Sequence, residues 1–247
     1  MTIHRRVALV ANGRHYVGPE LCRHLAARGH DLVVGDADPA LVDELTAGGV
    51  AVEVVNRVGD LADPESSSRL VAAALDRFGH LDAAVAFSGL IVTGRFMNST
   101  LDDLRTATRG CLEAPYHVLK AVLAPMIERR EGQVLVITSA SGARPTPGAP
   151  LYSSVRAGAN MLVANVAQEV ARHGVQVNAV GTNYMDFPDF LRASGADDPE
   201  VRARIEAQVP LGRLGTMSEF AAFCMPFLDG TSRFTTGQFV AYAGGWA

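Results

Sequence analysis

Cysteine is scarce in this chain, with only Cys22, Cys111 and Cys224 among 247 residues. An odd number of widely spaced cysteines fits neither a disulfide framework nor a zinc motif, so we expect reduced thiols and no bound metal. The sequence also lacks a long apolar run, because none approaches the roughly 20 residues needed to cross a bilayer. A membrane-spanning protein is therefore not expected.

Targeting signals and basic clusters are also missing. Residues 1–4 run into a short predicted strand without the charged start, long apolar region and cleavage site of a signal peptide. The formal net charge is -4 and no Lys/Arg-rich block occurs. We therefore expect a cytoplasmic protein that binds neither nucleic acid nor an anionic membrane surface.

The chain does contain a regular alternation of short apolar strands and longer amphipathic helices. Strands are predicted at 7–11, 31–35, 51–55, 81–87, 133–139, 175–180 and 238–242. Helices are predicted at 18–28, 38–47, 63–78, 101–130 as one helix or two, 150–173 and 216–228. Asp38 is a plausible N-cap, with Pro39 at the first helical position. The segment from about 182 to 211 is expected to be irregular, with part of it helical.

Strands that are apolar throughout and alternate with helices predict a parallel sheet covered on both faces. Right-handed crossovers then give a doubly wound, Rossmann-like sheet in a three-layer α/β/α architecture. We expect one α/β domain over residues 1–247, a common size for this class. Ligands of such folds bind beyond the carboxyl ends of the strands.

The first strand–helix turn departs from a dinucleotide-binding turn. It reads Ala-Asn-Gly-Arg-His-Tyr-Val-Gly from residue 11 to residue 18, so the spacing of Gly13 and Gly18 does not give the usual glycine fingerprint. Tyr16 either packs against the following helix or fills the space that a nicotinamide would occupy. Asp36, at the end of the second strand, either binds a ribose or simply begins a turn.

Ser139, Tyr152 and Arg156 form a candidate catalytic group. Ser139 ends the fifth predicted strand, and Tyr152 and Arg156 are four residues apart near the start of the next helix, so they share a helical face. A permanently charged guanidinium beside a tyrosine stabilises its phenolate form. The phenolate can act as a general base while the serine hydroxyl orients a substrate oxygen.

From Val7 to Gly245 the chain resembles the short-chain dehydrogenase/reductase superfamily. The landmarks are Leu81-Asp82, Val177-Asn178-Ala179 and Tyr242-Ala243-Gly244-Gly245. Several family features are altered. The glycine-rich turn is changed, and the Asn-Asn-Ala-Gly after the fourth strand reads Ala86-Phe87-Ser88-Gly89. Arg156 replaces the catalytic lysine, and Cys111 replaces the asparagine that many dehydrogenases carry in a helix.

These departures coincide with the pattern of halohydrin dehalogenases. That family carries an aromatic residue in the modified turn, here Tyr16, with glycine two positions later, here Gly18. It uses a Ser–Tyr–Arg triad, here Ser139, Tyr152 and Arg156. It also has an Asn-Tyr pair after the sixth strand, here Asn183-Tyr184.

The resemblance implies reversible, cofactor-independent conversion of vicinal haloalcohols to epoxides and halide. In the reverse direction, small anions such as azide, cyanide or nitrite open epoxides. The resemblance assigns catalysis to the Ser–Tyr–Arg triad and halide binding to Tyr16 and to the loop residues Thr182, Asn183, Tyr184 and Met185. It also implies a homotetramer that pairs through the helices at 101–130 and 150–173.

Two other interpretations remain open at this stage. One is a nicotinamide-dependent dehydrogenase with a degenerate glycine motif, for which Asp36 would favour NAD. The other is a non-catalytic assembly or regulatory module, although a scaffold has no need to keep both Ser139 and Tyr152.

Overall fold

The computed structural model describes residues 5–89 and 91–247, which fold around a parallel β-sheet flanked by helices. Residues 1–4, on which the expectation about a signal peptide partly rests, lie outside the described residues. The strands are β1 Arg6–Val10, β2 His30–Gly35, β3 Val52–Val55, β4 Ala83–Phe87, β5 Gly132–Ser139, β6 Val175–Thr182, β7 Met185–Asp186, β8 Gly215–Thr216 and β9 Phe239–Tyr242. The helices are α1 Gly18–Ala27, α2 Pro39–Ala47, α3 Pro64–Phe78, α4 Leu101–Thr108, α5 Ala114–Arg129, α6 Pro150–Val170, α7 Pro188–Ser194, α8 Pro199–Glu206 and α9 Met217–Cys224.

The main sheet has the strand order β3-β2-β1-β4-β5-β6-β9, and its neighbouring strands are parallel. Alternate residues of each strand enter separate cores on the two faces. Val7 and Leu9 pack with residues of α3 and α5, whereas Ala8 and Val10 pack with residues of α1 and α9. Because both faces are covered, the strands are apolar throughout. The predicted doubly wound α/β fold is confirmed.

The sheet order places one group of strand ends together. From β1, the strand order runs through β2 to β3 on one side and through β4 on the other. The neighbouring strands β1 and β4 therefore form the topological switch point. On the β4 side, β5 and β6 run in register, with Ser139 opposite Thr182 at their carboxyl ends. Segments that follow β1, β4, β5 and β6 therefore meet at one edge of the sheet.

Three local features give detail that the sequence prediction left open. The predicted helix at 101–130 is two α-helices joined by a π-helical turn at Arg109–Glu113. The segment expected to be irregular contains α7, α8 and the short β7–β8 pair. Asp38 occupies the N-cap position of α2 but makes no side-chain cap bond, because its carboxylate pairs with Arg14 at 2.8 Å.

The described residues include neither a membrane-spanning helix nor a cluster of metal ligands. Within the described ranges, no helix has the length and apolar composition that a bilayer span requires. In the same part of the chain, no cluster of three or more His, Cys, Asp or Glu side chains is placed to hold a metal ion. The side chains of Cys22, Cys111 and Cys224 are buried.

Candidate active site

A cavity of about 420 Å³ opens at the carboxyl ends of the central strands. It is lined by all eight residues that the sequence predicts for catalysis or halide binding: Tyr16, Ser139, Tyr152, Arg156, Thr182, Asn183, Tyr184 and Met185. The fold therefore brings together residues from positions 16 to 185. Their chemical roles stay predictions.

Ser139 lies at the tip of β5 and is buried. Its hydroxyl accepts a hydrogen bond from the backbone N–H of Ser141 at 3.2 Å and donates to the backbone carbonyl of Thr182 at 3.3 Å. The second of these bonds is long for a hydroxyl donor. A substrate oxygen at this position can therefore compete for the Ser139 hydrogen.

Tyr152 and Arg156 lie in the first two turns of α6 and face the cavity together. Tyr152 is 8% exposed and Arg156 is 4% exposed. The guanidinium carbon lies over the Tyr152 ring, 4.8 Å from its centroid, in a cation–π contact. Arg156 also donates from Nη1 to the hydroxyl of Ser88, and its Nε has no hydrogen-bond partner within the described residues. A buried positive charge thus lies against the ring of Tyr152, the residue that the sequence predicts as the general base.

The cavity is electropositive by composition. Among the described residues that line the cavity, Arg156 carries a permanent positive charge, and none is an aspartate or a glutamate. A buried cation without a carboxylate partner is costly unless another anion approaches it. This site therefore favours the entry of a small anion.

Tyr16 closes the cavity on the β1 side. Its backbone is left-handed, with φ of 56°. Its hydroxyl and that of Thr182 share a hydrogen bond of 2.5 Å, and its ring meets Phe187 edge-on with 4.8 Å between centroids. Burial raises the pKa of the Tyr16 phenol well above its usual value. Tyr16 therefore stays protonated near neutral pH and can donate a hydrogen bond.

Two of the predicted loop residues have side chains that also brace the loop. Tyr184 has a left-handed backbone, with φ of 53°, and donates from its hydroxyl to Gln208 Oε1 at 2.9 Å. Its ring packs edge-on against Trp246, 5.8 Å away between centroids. Met185 is buried and pairs with Gly215 in the β7–β8 ribbon.

Sequence reasoning assigned no role to the other lining residues, and three of them contact the predicted group. Ser88, after β4, contacts Arg156, and its altered motif was the only available signal. Phe187 and Phe190 add aromatic rings beside Tyr16 and Tyr184. Both lie in the segment predicted to be irregular, where no periodicity reveals which side chains face a cavity.

Comparisons with known proteins place the chain in a family. Residues 12–247 match the family described as enoyl-(acyl carrier protein) reductase. The chain belongs to this family. It is thus a member of the short-chain dehydrogenase/reductase superfamily, as its sequence landmarks predict, and its relatives are mainly oxidoreductases.

Relatives and solved structures align along nearly the whole chain. Oxidoreductase UcpA of Escherichia coli is 29% identical over 94% of this chain and 93% of its own length. The 2,3-dihydroxy-2,3-dihydro-p-cumate dehydrogenase of Pseudomonas putida is 27% identical over 97% of this chain and 93% of its own length. A solved structure titled "Dehalogenation enzyme" is 29% identical, with a TM-score of 0.86 over 100% of both chains. A gluconate 5-dehydrogenase from Burkholderia cenocepacia in complex with NADP and tartrate shares the fold at 24% identity, a TM-score of 0.87, and 98% and 94% coverage.

The family therefore raises the question of whether this chain's first turn fits a nicotinamide dinucleotide. Such a turn binds the pyrophosphate through its free backbone N–H groups. Here the side-chain oxygen of Asn12 accepts from the backbone N–H groups of Arg14 at 3.0 Å and His15 at 3.1 Å. The next residue, Tyr16, puts a large ring where the backbone would have to approach the cofactor.

At the ribose end, the Asp36 carboxylate already has backbone partners. Both carboxylate oxygens of Asp36 accept backbone N–H groups of the loop after β3, from Arg57 at 2.5 Å and from Val58 at 3.0 Å. Asp36 thus stabilises a turn, the second of its two sequence interpretations. At the pyrophosphate end, the residues of the first turn do not fit a nicotinamide cofactor.

Proposed function

We propose that this protein is a halohydrin dehalogenase that interconverts vicinal haloalcohols with epoxides and halide without a cofactor. The observation that carries the proposal is Tyr16, whose ring fills the nucleotide turn and whose hydroxyl meets Thr182 in the cavity of Ser139, Tyr152 and Arg156. The 29% identity to a full-length structure titled "Dehalogenation enzyme" supports it.

The proton transfer is assigned to Tyr152. Ser139 donates its hydroxyl hydrogen to the substrate oxygen, in place of its long bond to Thr182, and so orients that oxygen. Tyr152 accepts the substrate's hydroxyl proton, and the cation over its ring stabilises the phenolate before transfer. The freed oxygen lone pair forms the new C–O bond as the adjacent carbon–halogen bond breaks. The halide leaves with the bonding pair.

The halide is assigned to the opposite end of the cavity. With an anion present, Tyr16 donates its hydroxyl hydrogen to the halide while it accepts from Thr182. Asn183 and the loop after it complete the pocket, with the positive edge of the Phe187 ring close by. Oxygen, carbon and halide can then lie nearly in line, as displacement requires.

The same site runs in reverse. A small anion such as azide, cyanide or nitrite enters the halide pocket and attacks an epoxide carbon. Tyr152 then returns a proton to the opening oxygen. The substrates are thus haloalcohols or epoxides, and the anionic partners are halides and small nucleophiles.

The test is halide release from a simple bromohydrin by purified protein freed of nucleotide. Wild type should release bromide, and Tyr152→Phe should lower the rate by at least about 100-fold, the contribution typical of a general base. Tyr116→Phe is the matched control, because Tyr116 is exposed on α5 and does not line the cavity. Its rate should equal that of wild type.

Two results would contradict the proposal. Bromide release that depends strictly on added NAD would favour the dehydrogenase interpretation. Full activity of Tyr152→Phe would show that another group acts as base. Tyr152→Phe should still bind halide, measured by quenching of protein fluorescence, because the halide is assigned to other residues.

A further inference from the structure

Ser88 connects the end of β4 to α6, the helix that carries Tyr152 and Arg156. The backbone N–H and the hydroxyl of Ser88 both approach the carbonyl of Ile137 in β5, at 3.2 Å and 3.0 Å. A carbonyl only accepts hydrogen bonds, so the single hydroxyl hydrogen is donated to Ile137. A guanidinium only donates, so a lone pair of the Ser88 oxygen receives Nη1 of Arg156. The direction of each bond is therefore determined.

Within the described residues, the guanidinium of Arg156 makes its side-chain hydrogen bond to Ser88. Arg156 is buried, its Nε has no partner among the described residues, and its flat face lies on Tyr152. Gly89 leaves room on the other side, because a Cβ at that position would stand 3.2 Å from Nη2. Among the described residues, the neutral oxygen of Ser88 thus adds a hydrogen bond that orients a cation also held by packing and by the Tyr152 ring.

The neutrality of this partner matters chemically. A carboxylate in place of the Ser88 hydroxyl would pair with Arg156 and share its positive charge, leaving less to stabilise an anion nearby. The other titratable groups around the pair are Tyr16 from the first turn, Tyr184 from the loop after β6, and Cys111 from the π-helical turn. None of these carries a permanent negative charge.

We propose that Ser88 is a positioning residue that orients Arg156 through a neutral contact, so that the undivided positive charge stays over the Tyr152 ring. This inference rests on the proposed function for its kinetic consequences. The arrangement itself can be tested without catalysis.

The experiment compares Ser88→Ala, Ser88→Thr and Ser88→Asp with wild type. The rate of bromide release is measured against pH and substrate concentration. Ser88→Ala should lower kcat by about tenfold with little change in KM, the size expected for losing a hydrogen bond to a charged group. Ser88→Thr keeps the hydroxyl and should restore most of kcat. Ser88→Asp should move the midpoint of the pH–rate profile upward.

A second measurement does not need activity. Phenolate absorbance is titrated against pH, and the curve of the same protein carrying Tyr152→Phe is subtracted. The difference midpoint should rise in Ser88→Ala and in Ser88→Asp. Ser154→Ala is the matched control, because Ser154 lies on the same helix but donates to Pro150 at 2.8 Å, on the exposed side. Its kinetics and titration should match wild type.

The outcomes separate the two proposals. If wild type releases no bromide, the proposed function fails, and the titration alone decides the role of Ser88. Unchanged midpoints in Ser88→Ala and Ser88→Asp would overturn that role. A loss of melting temperature in Ser88→Ala, with an unshifted midpoint and no rescue by Ser88→Thr, would also overturn it, since the residue would then be merely structural.

Discussion

At the scale of single residues, the identity of the buried cation matters as much as its charge. The flat guanidinium of Arg156 can lie on the Tyr152 ring while one of its nitrogens reaches Ser88. Lysine keeps the charge but as a compact point on a flexible stem, without a planar face. The lysine of many short-chain dehydrogenases is therefore not equivalent to Arg156 in this cavity.

Arg156→Lys should lower the rate of dehalogenation several-fold or more and move the pH optimum upward. The phenolate would be less well stabilised, so more alkaline solution would be needed to form it. The measurement is kcat against pH. Arg109→Lys is the control, since Arg109 pairs with Asp60 at the surface and its variant should keep the wild-type profile. An Arg156→Lys variant with unchanged rate and optimum would refute the assigned role.

At the scale of elements, the first turn of α9 carries a residue that packs near Tyr16. Thr216 and Glu219 form a capping box, and Glu219 also pairs with Arg213 at 2.7 Å. Phe220 in the same helix is fully buried and lies 6.2 Å from the Tyr16 ring between centroids. Stabilising this helix end therefore helps to hold Tyr16 in place.

This capping box predicts a pH-dependent stability. Hydrogen bonds from Arg213 and then Thr216 lower the pKa of Glu219 from 4.5 to about 2. A carboxyl whose pKa is lower in the folded state stabilises the fold above its unfolded pKa, and that stabilisation is lost as the pH falls toward the folded value. Glu219→Gln should therefore lower the melting temperature at neutral pH, and its difference from wild type should shrink between pH 4.5 and about 2.

Circular dichroism melting at neutral pH and at about pH 3 measures this effect. Glu65→Gln is a suitable control, because Glu65 holds a similar place in the first turn of α3, where Asp63 provides the cap. Its melting temperature should differ little from wild type at either pH. A pH-independent loss in Glu219→Gln would contradict the assignment.

At the scale of the whole molecule, the two long helical segments present apolar side chains to solvent. Leu101 and Leu104 on α4 and Met161 on α6 are exposed, Met161 by 62%. These are the segments through which superfamily members are expected to pair. The structure therefore offers surfaces compatible with the proposed homotetramer.

Met161→Arg should reduce the assembly below a tetramer, because a charge would be buried in a two-fold contact and repeated on both subunits. Light scattering at micromolar concentration measures the mass. Leu75→Arg, on α3 outside the two segments, should leave it unchanged. A monomeric wild type would contradict the homotetramer itself.

Much of the fold follows from local pattern. Apolar strands with helical periodicity between them predict a doubly wound sheet, because a strand buried on both faces has no polar side to show. The strand end at Ser139 follows from the same pattern, whereas the pattern ends the sixth strand two residues before Thr182. Residue type and spacing also identify Tyr16 and the Tyr152–Arg156 pair, since a ring in a glycine turn and an i,i+4 pair are visible without coordinates.

Tertiary structure alone decided the contacts between distant segments. Ser88 reaches Arg156 across 68 residues, and the Tyr16 hydroxyl reaches Thr182 across 166. The tertiary structure also pairs the Asp38 carboxylate with Arg14 rather than with the N-terminus of its own helix. Both carboxylate oxygens of Asp36 bind the loop after β3 for the same reason. A side chain's partner depends on which donors and acceptors the packed strands bring within about 3 Å, and local periodicity carries no information about that distance.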